Sequence, residues 1–161
     1  MGIEIIIKDE QALDEVENLW YELMKVHVED STYFKEQFQN RKFQDRKQEL
    51  LNFAKAGKMI VVLAYAEAKN PIGYCIANVT LKQIDDSSEI KCIKGEIDSI
   101  CVSNDYRGGG IGKQLITKAL NWIEQYSPEK IMISVATGHE SVYPFYEQFG
   151  FYPRTSILQR K

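Results

Sequence analysis

A glycine-rich turn separates an extended apolar segment from an amphipathic helix in the C-terminal half of the chain. The turn is Arg107-Gly108-Gly109-Gly110-Ile111-Gly112-Lys113. Residues 95 to 102 before it alternate in character and are rich in branched side chains, which is typical of a strand. After the turn, apolar residues recur at helical spacing, at Leu115, Ile116, Ala119, Leu120 and Ile123. At this point the chain is therefore predicted to pass directly from a strand into a helix.

The same turn predicts an anion site. The first turn of a helix carries backbone N–H groups without intrahelical partners, and the helix dipole adds partial positive charge there. Glycines let an anion approach the backbone closely, and Arg107 and Lys113 add full charges. A P-loop nucleotide site is excluded, because that motif needs Ser or Thr after its lysine and Gln114 follows Lys113. The turn therefore indicates a pyrophosphate seat of another class.

Composition limits where such a site can be. The chain has 161 residues, which predicts a single domain over residues 1 to 161 that buries its own core without disulfides or metal. The net charge of -3 favours neither nucleic acid nor an anionic membrane as partner, so the positive site must be local. No apolar run suggests a signal peptide or a membrane span, and we expect a cytoplasmic protein. Three cysteines without metal-type spacing, Cys75, Cys92 and Cys101, are expected to be reduced.

Periodicity along the chain predicts a mixed order of strands and helices. Two helices, one that frays near His27 and one that ends at Gly57, follow a first strand. A short helix from 141 to 149 is closed by Gly150. Strands are predicted over residues 3–8, 58–67, 72–81, 89–102, 130–136 and 151–158. The order β-α-α-β-β-β-α-β-α-β indicates an α/β (α+β) fold of three layers with a partly antiparallel sheet.

Two motifs on these elements resemble the GNAT family of acyl-CoA-dependent N-acetyltransferases. Arg107, Gly110 and Gly112 occupy the places of the family motif that reads Gln or Arg, two residues, Gly, one residue, then Gly or Ala. Residues 145 to 151, Phe-Tyr-Glu-Gln-Phe-Gly-Phe, resemble the motif with which the family closes, and they follow at the expected place. The resemblance covers essentially the whole chain. It implies an acyl-CoA N-acyltransferase fold with a mixed, mostly antiparallel sheet of six to seven strands flanked by helices.

The resemblance also implies acetyl-CoA as co-substrate, with no metal, and suggests which residues bind it. The backbone of Ile100, Cys101 and Val102 would pair with the pantetheine arm, and an amide near Ile100 would polarise the thioester carbonyl. His139 stands where many relatives have an asparagine that contacts the pantetheine or a water; it could also act as a base, but a loop histidine at a helix start is the simpler interpretation. The pyrophosphate would be held by the N–H groups of Arg107, Gly108, Gly109, Gly110, Ile111, Gly112 and Lys113.

Transfer to an amine requires proton handling. An alkyl amine has a pKa near 10.4, so presenting it as the neutral nucleophile at pH 7 costs roughly 4 to 5 kcal/mol. Glu96 and Asp98 lie two residues apart and, on a regular strand, project from the same face as Ile100 and Val102. Either could be the base or could instead bind a neighbouring strand residue or the substrate ammonium, and a bulge could separate their directions. Tyr146 matches the family's acid tyrosine, which would protonate the departing thiolate.

The acceptor end is less specific in sequence. The resemblance implies that residues 27 to 43 wall the acceptor pocket, although a solvated loop fits the same residues equally well. His27 is interpreted as structural, and alternation directs Cys101 away from the carboxylate face, which predicts a core thiol rather than a nucleophile. The side chains that could receive a cationic amine are Glu29, Asp30, Tyr33 and Phe34.

These observations predict an N-acetyltransferase that moves the acetyl group of acetyl-CoA directly to a primary amine, more readily that of a small molecule than of a protein. The alternative is a non-catalytic acyl-CoA-binding sensor or partner-binding module with the same fold. The presence of Tyr146 together with both carboxylates favours the enzyme. A homodimer is compatible with this fold, but no residue identifies its interface.

Overall fold

The computed structural model describes residues 2–67, 69–83 and 91–160. The main elements within them are β1 (Glu4–Lys8), α1 (Glu17–Asp30), α2 (Glu36–Gln39), α3 (Phe43–Ala56), β2 (Gly57–Tyr65), β3 (Pro71–Gln83), β4 (Lys91–Val102), α4 (Ile111–Glu124), β5 (Lys130–Ile133) and α5 (Tyr143–Glu147). Short 3-10 helices occupy Glu10–Val16, Asn104–Tyr106 and Glu140–Val142. No helix in these ranges is long and apolar enough to cross a membrane.

The strands form one mixed sheet in the order β1-β2-β3-β4-β5. The first four pair antiparallel, and β5 pairs parallel to β4. The predicted class, an α/β fold with a mixed and mostly antiparallel sheet, is confirmed, but the described residues contain five strands rather than six to seven.

The predicted strand over residues 151 to 158 was wrong, because this segment has no regular secondary structure. Two of its apolar side chains are almost fully exposed, Ile157 at 92% and Leu158 at 95%, whereas Phe151 packs against the core under α4. Pro153 also lacks the N–H that a ladder needs. Apolar, branched composition therefore did not suffice to form a strand here.

Helices cover both faces of the sheet, which explains the long apolar runs in the central strands. In β2, Val61 and Leu63 belong to the core under α1 and α3, whereas Val62 and Ala64 belong to the core under α4. The predicted stripe of α4 is confirmed, because Leu115, Ile116, Ala119 and Ile123 are fully buried.

The strands β4 and β5 separate before β4 ends, and this opens the site. Their parallel pairing runs from Lys94 opposite Lys130 to Ile97 opposite Ile133, while β4 continues to Val102. Beyond Ile97, the edge of β4 that faces β5 has no strand partner among the described residues. A register shift against β3 also falls here, so that Asp98 is an extra residue between Ile97 and Ser99, a β-bulge.

Candidate functional site

A cavity of about 580 Å³ lies where β4 and β5 separate. It is bordered by α1, the end of β4, the glycine turn, the start of α4, the segment after β5 and α5. The structure thus brings into one cavity wall most of the residues predicted to bind the donor, namely Ile100, Cys101, Val102, Arg107, Gly108, Gly110, Ile111, Gly112, Lys113, His139 and Tyr146. Gly109, predicted with them, is not part of that wall.

The glycine turn is open on its inner side. Gly108 and Gly110 have φ values of 83° and 77°, in the left-handed region that side chains other than glycine rarely adopt. A Cβ added to either would meet no atom within 4 Å, so no protein group fills the space in front of them. Gly110 is also the N-cap of α4, whose first turn contains no acidic side chain. Free amides, the helix dipole and Lys113 therefore face an open cradle that fits an anion.

The cavity also has a strand edge and a phenol. Ile100 and Val102 lie on the part of β4 beyond its pairing with β5, and Ser134 and Val135 on the chain that leaves β5 line the same cavity. The Val102 carbonyl accepts from Arg107 Nε at 2.9 Å. Such an edge offers backbone donors and acceptors to an extended ligand. Tyr146 on α5 makes no side-chain hydrogen bond to another described residue, and burial raises the pKa of its hydroxyl to about 12. The phenol is therefore protonated at neutral pH and available as a donor.

The two predicted base carboxylates, Glu96 and Asp98, do not line this cavity. Asp98 accepts a charged hydrogen bond from Arg46 of α3, with its side chain only 9% exposed, and Glu96 lies 3.4 Å from the Lys94 amine. Both carboxylates therefore bind neighbouring cations, Asp98 an arginine of α3 and Glu96 a lysine of its own strand. Whether either one still acts as a base is a prediction that the arrangement does not test.

The predicted strand faces were wrong because of the bulge at Asp98. Ile100 and Val102 pack with the α4 core, whereas Asp98 reaches α3 on the opposite face. Cys101 belongs to the core under α1, on the face that Asp98 shares, rather than on the face away from it. The thiol is nevertheless a core group: it is buried, and burial raises its pKa to about 11. A thiol with a raised pKa is a poor nucleophile at neutral pH.

The residues predicted to receive the amine do not line the cavity. Tyr33 is 59% exposed, and Glu29 is exposed beside Lys25 at 4.0 Å. Asp30 is exposed but approaches the cavity indirectly, because its Oδ2 lies 3.9 Å from His139 Nδ1. Phe34 adopts a left-handed conformation, with φ of 59°, in the connection before α2. Their role in acceptor binding stays a prediction.

The sequence interpretation missed a pair of histidines. His27 Nδ1 and His139 Nε2 lie 3.1 Å apart, and both rings line the cavity. From the sequence, His27 is interpreted as structural and His139 as a pantetheine contact, each by itself. Because 112 positions separate them, no local pattern links them; the one available signal was that these are the only two histidines of the chain.

The comparisons with known proteins agree with this architecture. The sequence profile of the Acetyltransferase (GNAT) family matches residues 20–151. The fold, an open glycine turn at a helix start beside separated strands, together with this match, shows that the chain belongs to the GNAT family of acetyltransferases. The comparison with curated proteins gave no match.

Solved structures with similar folds include three acetyltransferases. A GCN5-related N-acetyltransferase from Ralstonia eutropha has a TM-score of 0.75 at 16% identity, with 99% of both chains covered. A ribosomal-protein-alanine N-acetyltransferase from Brucella melitensis has a TM-score of 0.67 at 20% identity, again with 99% of both chains covered. The aminoglycoside N-acetyltransferase AAC(6')-Iy in complex with CoA has a TM-score of 0.69 at 16% identity, with 99% of this chain and 95% of that chain covered. At these identities the likeness shows the fold alone.

Proposed function

We propose that this protein transfers the acetyl group of acetyl-CoA directly to a primary amine of a small molecule. One observation carries the proposal: a single cavity joins the open amides at the start of α4, the unpaired edge of β4 and the buried Tyr146 hydroxyl. A diphosphate, an extended amide-containing arm and a thioester sulfur need these three kinds of group, in this order along one molecule.

Each part has a chemical task in this proposal. The N–H groups from Arg107 to Lys113 would hold the pyrophosphate, and the edge of β4 at Ile100 to Val102 would hydrogen-bond the pantetheine. An amide of that edge would stabilise the negative charge that develops on the thioester oxygen during attack. Tyr146 would donate its proton to the thiolate as the carbon–sulfur bond breaks.

A small acceptor agrees with the net charge of the chain. The chain carries a net charge of -3, which does not favour an acceptor on nucleic acid. Among the similar folds, one is named for an aminoglycoside and one for a ribosomal-protein alanine, so that both small and protein amines are worth testing.

The test is release of CoA thiol from acetyl-CoA across a panel of small primary amines, polyamines, amino acids and peptides. We expect turnover with at least one small amine and formation of the acetylated amine by mass spectrometry. Stoichiometric CoA binding without turnover on any amine would overturn the enzyme in favour of an acyl-CoA sensor. Failure to bind CoA at all, measured by calorimetry, would overturn both.

A further inference from the structure

The contact between the two histidines is built into the fold. The turn at residues 137–140 is tied to the end of α1, since the Thr32 N–H donates to the Thr137 carbonyl at 3.2 Å. Gly138, with φ of 99°, lies so close to α1 that a Cβ there would come within 2.2 Å of the Asp30 carbonyl oxygen. The Glu140 carboxylate accepts from the Gly138 N–H at 3.0 and 3.1 Å. This turn therefore places His139 against the last turn of α1.

The His27 ring is also held in place. Phe38 of α2 stacks on it with ring centroids 4.8 Å apart and planes 24° apart. The His139 ring meets it edge to face, with centroids 4.7 Å apart. With its Nδ1 in contact with His139, Nε2 is the ring nitrogen left without a hydrogen bond to any described residue. The pair thus leaves one imidazole nitrogen of His27 without a partner among the described residues, and both residues line the cavity.

Contacts around the pair lead from the cavity to the surface. Burial, followed by His139, lowers the pKa of His27 to about 4, with Asp30 opposing and Arg41 adding to the shift, so the ring is neutral at pH 7. His139 Nδ1 faces Asp30 Oδ2 at 3.9 Å, and the Asp30 side chain is 55% exposed. His139 itself is buried, with 7% exposure, so Asp30 is the member of this series that meets solvent. A proton that enters at His27 therefore has a path through His139 to Asp30 at the surface.

We propose that His27 and His139 form a proton relay that accepts the proton of the acceptor amine at His27 Nε2 and delivers it to Asp30 at the surface. This inference rests on the proposed function and assigns His27 as a catalytic residue, with His139 and Asp30 as relay and positioning residues. It leaves the proposed roles of the donor-binding residues and of Tyr146 unchanged.

The step balances in atoms and charge. The amine nitrogen bonds to the thioester carbonyl carbon, and its N–H proton moves to His27 Nε2. His27 releases its Nδ1 proton to His139 Nε2, and the Nδ1 proton of His139 passes toward Asp30 and then to water. Both rings are left with their proton on Nε2 and return to the Nδ1–H tautomer by proton exchange with solvent before the next turnover. The carbon–sulfur bond breaks, and the thiolate takes the Tyr146 proton, which solvent replaces. The tautomer required of His27 at rest has the proton on Nδ1.

Neither carboxylate of β4 is placed as well as His27 to accept the proton of the amine. Asp98 is held by Arg46 on the far face of the sheet, and Glu96 is paired with Lys94. The histidine pair lines the cavity and is free of cationic partners at hydrogen-bonding distance among the described residues.

The kinetic test compares His27→Gln and His139→Gln with the wild type over pH 6 to 10, using acetyl-CoA and the best amine of the panel. Glutamine keeps a hydrogen bond at the Nε2 position but cannot pass a proton. We expect kcat/KM for the amine to fall about 100-fold at pH 7 in either variant, with CoA affinity unchanged in His27→Gln. The deficit should shrink toward pH 10, because there the amine arrives neutral and hydroxide removes its remaining proton.

The control is Ser31→Ala, which alters the buried end of α1 next to Asp30 without removing a titratable group. It should retain the wild-type pH profile. A deficit equal at every pH in the histidine variants, or no deficit at pH 7, would overturn the relay. The acidic limb of the pH profile could instead disappear in Glu96→Gln or Asp98→Asn and remain in His27→Gln. That outcome would overturn the relay and identify that carboxylate as the base.

A second readout does not depend on turnover. Nitrogen-15 NMR of histidine-labelled full-length protein reports which ring nitrogen of His27 carries the proton. The relay requires Nδ1–H at neutral pH; an Nε2–H tautomer would overturn it. If no amine is turned over by the wild type, the proposed function fails, and the tautomer still decides whether the pair is arranged to accept a proton.

Discussion

Two glycine turns border the cavity, at residues 107–113 and 137–140, and they require glycine for opposite reasons. Gly110 and Gly138 both have positive φ, 77° and 99°. A Cβ on Gly110 would meet nothing within 4 Å, whereas a Cβ on Gly138 would lie 2.2 Å from the Asp30 carbonyl oxygen. In the first turn, the space in front of the glycines is open among the described residues. The second fills its space with protein and fixes the histidine pair.

The two sides of the cavity also differ in how the sequence supplies their groups. The donor side consists of backbone amides that are contiguous in sequence, from Arg107 to Lys113. In the proposed function, the acceptor side is the set of side chains on α1, α2 and the turn after β5 that surrounds the histidine pair. Substitutions on the donor side should therefore change ligand affinity more than stability, and those at the second turn should change stability first.

Gly138→Ala should have the largest effect on folding. Left-handed strain and the close contact with Asp30 together predict a loss of about 3 kcal/mol in the free energy of unfolding. Urea denaturation measures the loss, and Gly109→Ala is the matched control, because Gly109 has no positive φ and its Cβ would approach only the Tyr106 carbonyl oxygen, at 3.9 Å. Equal stability of the two variants would show that close packing of Gly138 against α1 does not constrain the second turn.

Tyr146→Phe tests whether the Tyr146 hydroxyl protonates the departing thiolate. Removing the hydroxyl should lower kcat about 100-fold, the order of a general-acid contribution, while CoA affinity and stability change little. Steady-state kinetics with saturating amine gives kcat, and calorimetry gives the affinity. Tyr143→Phe, on the same helix but outside the cavity wall, is the control. If both variants lose activity alike, the effect belongs to α5 and not to the hydroxyl.

Gly110→Ala sharpens the contrast with Gly138→Ala. The substitution carries the left-handed strain but no clash, so the expected loss of stability is about 1 kcal/mol. The methyl group enters the open cradle, and we expect CoA to bind about 10-fold more weakly, or about 1.4 kcal/mol. A variant that binds CoA as tightly as the wild type would mean that the pyrophosphate lies elsewhere.

The pH dependence of stability probes the histidine side. The pKa of His27 is lowered to about 4 from 6.5, so between pH 6.5 and 4 the unfolded chain binds more protons than the folded one. Stability should therefore fall as pH falls through that window. After allowance for partial solvent screening, the loss is about 1 to 2 kcal/mol. Comparing unfolding free energies at pH 7.5 and 4.5 measures it, and His27→Gln should lose less over the same interval than the wild type.

The smallest effect is expected at the C-terminal segment. Because Ile157 and Leu158 are almost fully exposed, replacing both by serine should change the free energy of unfolding by less than about 0.5 kcal/mol. Thermal or urea denaturation at low protein concentration measures this. A loss above 1 kcal/mol would indicate that the segment pairs as a strand in solution, as its sequence predicted.

Local features of the chain can be predicted from the sequence. The stripe of α4, the glycine turn and the alternating strands each follow from residue spacing over a few positions, and the mixed sheet followed from their order. The donor residues also came together as expected, because most of them are contiguous or lie on adjacent elements. The missing terminal strand shows the limit, since strand formation depends on pairing with another strand as well as on a suitable composition.

The sequence by itself determined the fold class and the open seat at the start of α4, since helix and strand periods and glycine conformations are short-range properties. The tertiary structure alone decided which way Asp98 points, because one bulge against β3 reverses the alternation that follows it. It alone also joined His27 to His139 across 112 positions. Such contacts depend on how α1 and the turn after β5 pack, and no spacing within either segment encodes their distance.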